Sequence, residues 1–153
     1  MVLRNMVLAA SRDDAKWAAL QNTIKSFFGF ELSRPSDVDP IRARYRHSAK
    51  DHWYDLLNGT AGFLQTILVQ SALLHSDARL FLIDELDAHL HSLLKVKMYR
   101  LIREYYKQSD CQVLIASHSG RLIEEAESEQ GNKLFLITAN GVMPVRRQDA
   151  QEP

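Results

Sequence analysis

Residues 80–85 read LFLIDE, and this run constrains the fold more than any other part of the chain. Four apolar residues lead directly into two adjacent carboxylates, Asp84 and Glu85. A short run of this kind is typical of a strand buried on both faces of a parallel sheet. Because a buried carboxylate without a partner is costly, we expect the two acids at the carboxyl end of the strand, where open α/β sheets bind ligands.

A second apolar run repeats this pattern further along the chain. Residues 113–116 read VLIA and lead into Ser-His-Ser at 117–119. The carboxyl ends of parallel strands meet at one edge of a sheet, so Asp84, Glu85 and His118 are expected to lie on the same edge. The two runs together predict an α/β fold in which this edge carries hydrolytic chemistry on a nucleotide.

Three segments of the chain resemble motifs of ABC-type P-loop ATPases, in the same order as in that family. Residues 80–91, LFLIDELDAHLH, resemble the Walker B strand and the loop after it. Residues 113–119, VLIASHS, resemble the switch-histidine strand, and residues 58–65, NGTAGFLQ, resemble the start of the signature helix. The resemblance covers residues 54–123 and is strongest to the OLD/SMC-like branch, which includes ATPases of bacterial defence systems.

The resemblance implies a role for each acid and for the histidine. Asp84 is expected to hold Mg²⁺, directly or through water, and Glu85 to polarise the water that attacks the γ-phosphate of ATP. His118 is expected to contact that phosphate. Phosphoryl transfer does need a metal to neutralise charge and a group to orient the nucleophile. The alternative is that both acids are satisfied by backbone N–H groups and that the histidine is an ordinary polar residue.

The signature-like segment supplies the remaining candidate nucleotide contacts, Asn58, Gly59, Thr60 and Gly62. They lie just before or within the first turn of an apolar helix, where free N–H groups and the helix dipole favour a phosphate. The resemblance implies that this element reaches across a dimer to the γ-phosphate bound by the partner. A capped core helix without any ligand, with Thr60 as the cap, explains the same pattern, and both interpretations remain open.

The phosphate-cradling motif of such ATPases is missing from the sequence. No G-x-x-x-x-G-K-[ST] occurs, and the nearest fragment, residues 131–133, has the wrong spacing. Residues 1–153 are therefore interpreted as one domain, the C-terminal half of an ATPase that is inactive alone. The expected partners are a lobe or subunit with a P-loop and a second copy in a homodimer or larger assembly.

The loop after the paired acids carries Asp87, His89 and His91. The resemblance places this loop along the dimer seam, although the family usually has proline where this chain has Leu86, and often where it has Ser92. A zinc site is the alternative. Two histidines that are two residues apart do not face each other on a helix, and zinc needs further ligands at suitable spacing.

Composition places few limits on the function. Nineteen basic and nineteen acidic residues cancel, so charge alone does not direct the chain to nucleic acid or membrane. The single cysteine, Cys111, excludes an internal disulfide and is typical of a reducing cytoplasm. No apolar run approaches the ~20 residues of a membrane span. We therefore expect a cytoplasmic protein.

Two further functions are compatible with the sequence. One is that of a non-catalytic ATPase remnant that serves as a protein-interaction module, because the chain has no P-loop motif. A DNA-binding domain is the other alternative, because a local basic stripe accompanies Tyr45 and could contact phosphates. The stripe consists of Arg42, Arg44, Arg46, His47 and Lys50. A solvated strand face explains the stripe equally simply.

Hydrophobic periodicity predicts the elements that surround these motifs. Helices are predicted over 13–28, 62–75, 90–106 and 121–128, and strands over 30–32, 41–47, 80–83 and 113–116. A C-terminal β-hairpin is predicted over 134–138 and 142–146, around Ala139-Asn140-Gly141. Ser11 is predicted to cap the first helix and Gly29 to end it. The core face of the third predicted helix comprises Leu93, Leu94, Met98, Leu101, Ile102 and Tyr105.

Overall fold

A computed structural model of the protein describes residues 2–35, 43–47, 52–75, 78–86 and 88–145. Five α-helices occur in that part of the chain: α1 Val2–Ser11, α2 Asp14–Phe28, α3 Ala61–His75, α4 Ser92–Gln108 and α5 Gly120–Ser128. The strands are β1 Phe30–Leu32, β2 Arg44–His47, β3 Tyr54–Asp55, β4 Leu80–Asp84, β5 Gln112–Ala116, β6 Phe135–Thr138 and β7 Gly141–Pro144. A 3₁₀ turn, Leu56–Asn58, precedes α3.

The described strands form three small sheets. Strands β1, β2 and β3 make an antiparallel sheet in that order. Strands β4 and β5 pair in parallel, with Leu80 opposite Gln112 and Asp84 opposite Ala116. Strands β6 and β7 make the predicted hairpin, with Thr138 opposite Gly141. The predicted α/β class and parallel pairing are therefore observed, but the described parallel sheet has two strands. Residues 41 and 42 of the predicted second strand, and residue 146 of the hairpin, lie outside the described residues.

The N-terminal region differs from the sequence prediction. Helix α1 was not predicted, and Ser11 is its last residue rather than the cap of α2. Asp13 caps α2 instead, because its carboxylate accepts hydrogen bonds from the N–H groups of Ala15 (2.9 Å) and Lys16 (3.0 Å). Gly29 ends α2 as predicted. Its left-handed φ of 70° lets its N–H donate to the Lys25 carbonyl at 2.9 Å.

Helix α3 is apolar on all sides because it lies between two hydrophobic clusters. Phe63 and Ile67 pack into the first cluster, with α1, α2 and β1. Leu73 packs into the second, with α4, α5 and one face of the β4–β5 pair. Phe28 contacts both clusters, so the antiparallel and parallel sheets are joined through a continuous apolar interior.

The prediction that β4 and β5 are buried on both faces is wrong. Alternate residues of both strands, including Phe81 and Ile83 of β4, pack against the second cluster. The opposite face is open: Leu80 is 49%, Leu82 is 72% and Leu114 is 56% exposed. The reason is that the described helices of this cluster cover one side of the pair. Leu93, predicted to face the core, is also exposed on α4.

The hairpin adds further apolar surface. Every residue of β6 and β7 is exposed, including Phe135, Ile137 and Val142. A cleft of about 550 Å³ lies between β5, α4 and the segment leading into β6, with Leu114 and Phe135 among its lining residues. Monomeric proteins rarely leave large apolar patches uncovered, so the exposed apolar side chains of β4–β5 and of the hairpin are candidates for an interaction surface.

Candidate functional site

The parallel pairing brings the two chemistry-bearing strand ends to one edge, as the sequence predicts. Asp84 lies opposite Ala116, so Glu85 and Ser117 are the next residues at the ends of the two strands. Asp84, Glu85 and His118 are all exposed at this edge. A ligand at the edge can therefore be reached by the two carboxylates and by the imidazole.

Asp84 lies on the open face of β4. Successive strand residues point to opposite faces, so Asp84 shares its face with Leu80 and Leu82, and all three are exposed. Mg²⁺ takes oxygen ligands and keeps several waters, which an exposed carboxylate at a strand end can accommodate. The exposed carboxylate of Asp84 thus fits a Mg²⁺ ligand, and its Mg²⁺ role stays a prediction.

Glu85 has an unusual backbone conformation. Its φ is +48°, and it is the only non-glycine residue with positive φ in the described part of the chain. A glutamate in this left-handed region is strained, and such strain often accompanies functional sites. The Glu85 carbonyl accepts a hydrogen bond from the Ala88 N–H at 3.0 Å, and the next residue, Leu86, is fully buried. The chain therefore turns sharply at Glu85 and is anchored directly after it.

The same turn has a contact that the sequence analysis missed. The side-chain amide of Gln65 donates to the Leu86 carbonyl at 3.1 Å and to the Glu85 carbonyl at 3.4 Å. Gln65 belongs to the signature-like segment, but its residue type alone does not indicate a partner twenty residues away in the chain.

The signature-like segment lies against the loop that follows β4. A Cβ on Gly59 would come within 2.3 Å of the Phe63 ring, so this glycine allows a core phenylalanine to pack over the turn. Gly62 is buried beside the His89 backbone. Asn58 and Thr60 are exposed at the start of α3. The glycines have packing roles within the chain, and the contact of the segment with nucleotide stays a prediction.

The switch-like segment has a defined backbone on both sides of His118. The Ser117 hydroxyl accepts a hydrogen bond from the Ser119 N–H at 3.0 Å. The Ser119 carbonyl in turn accepts from Leu122 (3.0 Å) and Ile123 (3.1 Å), which starts α5. The exposed imidazole is thus carried on a short, hydrogen-bonded turn between β5 and α5.

The loop carrying the other two histidines is only partly described. His89 and His91 are exposed, whereas Asp87 lies outside the described residues. Within the ranges that the structure describes, no three His, Cys, Asp or Glu side chains gather as metal ligands. The same ranges contain no helix that is both long and apolar enough to cross a membrane.

The basic stripe is partly occupied by contacts within the chain. Arg46 pairs with Glu31 at 2.9 Å and lies over the Trp53 ring, 4.7 Å from its centre. These contacts hold the guanidinium against its own sheet and reduce what it offers to a phosphate. Arg42 and Lys50 lie outside the described residues.

Several solved structures of SMC ATPases have a similar fold. One chain, from a structural study of ATP-driven dimerisation and DNA-stimulated activation of SMC ATPases, is 18% identical with a TM-score of 0.59, and 84% of each chain is covered. The SmcHead bound to the C-winged helix domain of ScpA is 17% identical with a TM-score of 0.59. The match covers 89% of this chain and 45% of that chain. An Smc head domain with a coiled coil and joint, derived from Pyrococcus yayanosii, is 16% identical with a TM-score of 0.54. The match covers 86% of this chain and 27% of that chain. The fold is therefore similar to that of SMC ATPase heads.

Residues 19–124 match the family model described as "AAA domain, putative AbiEii toxin, Type IV TA system". The match spans more than half of the chain, and the protein belongs to this AAA domain family. A comparison with curated proteins found no match. The chain spans less than half the length of two of the three SMC chains described above.

Proposed function

We propose that this chain is the Walker B and switch half of an ABC/OLD-like ATPase. The observation that carries the proposal is the in-register pairing of β4 with β5, which puts Asp84-Glu85 and His118 at one sheet edge in a member of an AAA domain family. The same edge is where open α/β sheets bind ligands. Because no P-loop motif occurs in the chain, hydrolysis is assigned to the complete assembly, with little or none from the chain alone.

Each residue at the edge has a distinct task in this proposal. Asp84 holds Mg²⁺, which when bound neutralises charge on the phosphates. Glu85 accepts a proton from the attacking water, and its carboxylate orients that water. His118 donates a hydrogen bond to the γ-phosphate. The exposed turn at Asn58 and Thr60 contacts a nucleotide held mainly by another chain or lobe, through the free N–H groups at the start of α3.

The open face of β4–β5 is proposed as the docking surface for a lobe or subunit that carries the P-loop. Leu80, Leu82 and Leu114 form an exposed apolar face, and Asp84 lies on the β4 part of it. A lobe that covers these leucines would therefore bring its nucleotide close to Asp84. The hairpin is also exposed, and Leu114 of the open face lines the cleft beside β5 as well.

Substitution of the proposed base tests the function. In the complete assembly, Glu85→Gln keeps the shape of the side chain but removes the charge that polarises water. Turnover should fall by roughly 10²–10⁴-fold, the range of a general base, while ATP binding is retained. Glu127→Gln, on the exposed surface of α5, is the matched control and should leave turnover unchanged. An unaltered hydrolysis rate in Glu85→Gln would exclude Glu85 from this role.

A role in bacterial defence is proposed from the family, whose description includes a putative AbiEii toxin and a type IV toxin–antitoxin system. The non-catalytic interaction module remains the second candidate. It is favoured by the extent of exposed apolar surface, and an assembly that forms normally but never hydrolyses ATP would support it. DNA binding is less favoured, because Arg46 is held by Glu31 and Trp53.

A further inference from the structure

The backbone at Glu85 and the signature-like segment are joined by one side chain. Gln65 lies on the second turn of α3, and its Nε2 donates to the carbonyl oxygens of both Glu85 and Leu86. Carbonyl oxygens only accept hydrogen bonds, so the NH₂ end of the amide must face them. The amide therefore attaches α3 to the two residues that directly follow β4.

These bonds act on the one strained backbone position of the loop. Glu85 has a φ of +48°, which residues other than glycine and asparagine rarely adopt unless their surroundings hold them there. Three observed contacts do so: the Gln65 amide, the Ala88 N–H on the Glu85 carbonyl, and the complete burial of Leu86. Of these, the Gln65 amide is the only hydrogen bond that comes from a different element of the fold.

We propose that Gln65 is a positioning residue, which holds Glu85 in its left-handed conformation and thereby sets the direction of the carboxylate. The proposal rests on the proposed ATPase function. It has a mechanical consequence, because Gln65 and the exposed turn at Thr60 belong to the same helix end. A movement of that turn on contact with nucleotide would therefore reach Glu85 through α3, within one chain.

The chain contains a matched control on the same helix. Gln70 is the other glutamine of α3, is buried, and donates from its Nε2 to the Ala19 carbonyl at 3.0 Å. Gln70→Leu therefore removes the same kind of amide–carbonyl bond from α3, but between α3 and α2, remote from Glu85. Effects of Gln65→Leu that Gln70→Leu reproduces are effects on α3 in general.

The first experiment follows the backbone of the full chain without nucleotide. Hydrogen exchange at the Ala88 amide reports opening of the turn, and the ¹³C shifts of Glu85 report its φ. Gln65→Leu should speed Ala88 exchange by about 2- to 10-fold, the effect of losing one hydrogen bond, and move the Glu85 shifts towards ordinary values. Gln70→Leu should do neither. Unchanged exchange and shifts in Gln65→Leu would overturn the proposal.

A second variant tests the same hydrogen bonds if Gln65→Leu does not fold. Gln65→Glu has the same size and polarity, but at neutral pH its carboxylate can only accept hydrogen bonds and so cannot bond the two carbonyls. The same acceleration and shift change are expected in Gln65→Glu. If the turn at Glu85 is as well protected in this variant as in the parent, the amide is not what holds it.

The second experiment measures turnover in the complete assembly. Gln65→Leu should lower kcat by up to about 100-fold, the cost of misplacing a catalytic group, and leave ATP affinity unchanged. In the Glu85→Gln background it should cause no further loss, because the group it positions is already gone. Parent-like turnover in Gln65→Leu, alongside a strong Glu85→Gln defect, overturns the positioning role and leaves the ATPase proposal intact. If Glu85→Gln instead keeps the turnover of the parent, the ATPase proposal is overturned. The hydrogen-exchange experiment still tests whether Gln65 holds the backbone at Glu85.

Discussion

The backbone of His89 lies directly against Gly62, so that a Cβ at position 62 would come within 2.5 Å of the His89 carbonyl oxygen. This contact brings the first turn of α3 against the loop that follows β4. Both Gly62 and Gln65 therefore link the signature-like helix to the loop that follows β4 in the same chain. Gly62 is buried, so its contribution to the site is the close approach of two backbones.

Gly62→Ala should destabilise the fold, because either the helix or the loop must move to admit the methyl group. Overpacking of this kind costs about 1–3 kcal/mol of unfolding free energy. Gly120→Ala is the control, since a Cβ there meets nothing within 4 Å and alanine favours a helix start. Urea denaturation of both variants measures the difference. Equal midpoints for Gly62→Ala and the parent would contradict the close contact.

His118→Ala should reduce turnover of the complete assembly more than its affinity for ATP. The imidazole is expected to act on the γ-phosphate during transfer, so its loss raises the barrier with little change in ground-state binding. A decrease of roughly 10²-fold is expected for an orienting group of this kind. Steady-state hydrolysis and nucleotide titration check this, and equal rates for variant and parent would make His118 an ordinary surface residue.

Leu82→Lys should prevent association with the P-loop lobe, because it places a charge in the middle of the proposed docking face. Leu93→Lys is the matched control: Leu93 is 68% exposed, close to the 72% of Leu82, but lies on α4. Sedimentation of each variant with the P-loop lobe measures association. If Leu82→Lys assembles as well as Leu93→Lys, the lobe docks on another surface.

The complete Glu85→Gln protein should form a tight dimer in Mg-ATP and a loose one, or none, without it. Blocked hydrolysis retains nucleotide between two copies, and each copy presents the same sheet edge to the other in an isologous interface. Light scattering with and without Mg-ATP gives the mass directly. A mass that does not respond to nucleotide would contradict the proposed contact between the signature-like turn and a partner's ATP.

Stability should fall as the pH drops below about 6.5, the ordinary pKa of histidine. Burial lowers the pKa of His75 below its usual range, assisted by the charge of Lys16 and opposed by that of Asp13. The unfolded chain then binds this proton at a higher pH than the folded one, so stability is fully present above the unfolded pKa and is lost as the pH falls through the folded pKa. His75→Gln should weaken this dependence in urea midpoints measured from neutral pH to below 6.5, where the lowered pKa of His75 makes stability fall. If the urea midpoints of His75→Gln and of the parent depend on pH in the same way, His75 does not cause the loss of stability.

Local sequence patterns were sufficient for the elements and for the edge that carries the candidate site. Two apolar runs that end in Asp84-Glu85 and Ser-His-Ser predicted the parallel pair, and Asn140-Gly141 predicted the hairpin. Gly29 marked the end of α2. These features depend on neighbours along the chain, through strand alternation, turn conformation and helix capping, so they can be deduced from the order of the residues.

Packing between distant segments was decided only by the tertiary structure. An apolar strand can be covered on one face or on two, and the sequence of β4 is the same in both cases, which is why the exposure of Leu82 was not foreseen. The close approach of Gly62 to His89 and the hydrogen bonds from Gln65 to Glu85 join residues that are far apart in the chain. Such contacts depend on how α3 lies against the loop after β4, and this arrangement follows from burial summed over the whole interior rather than from any local pattern.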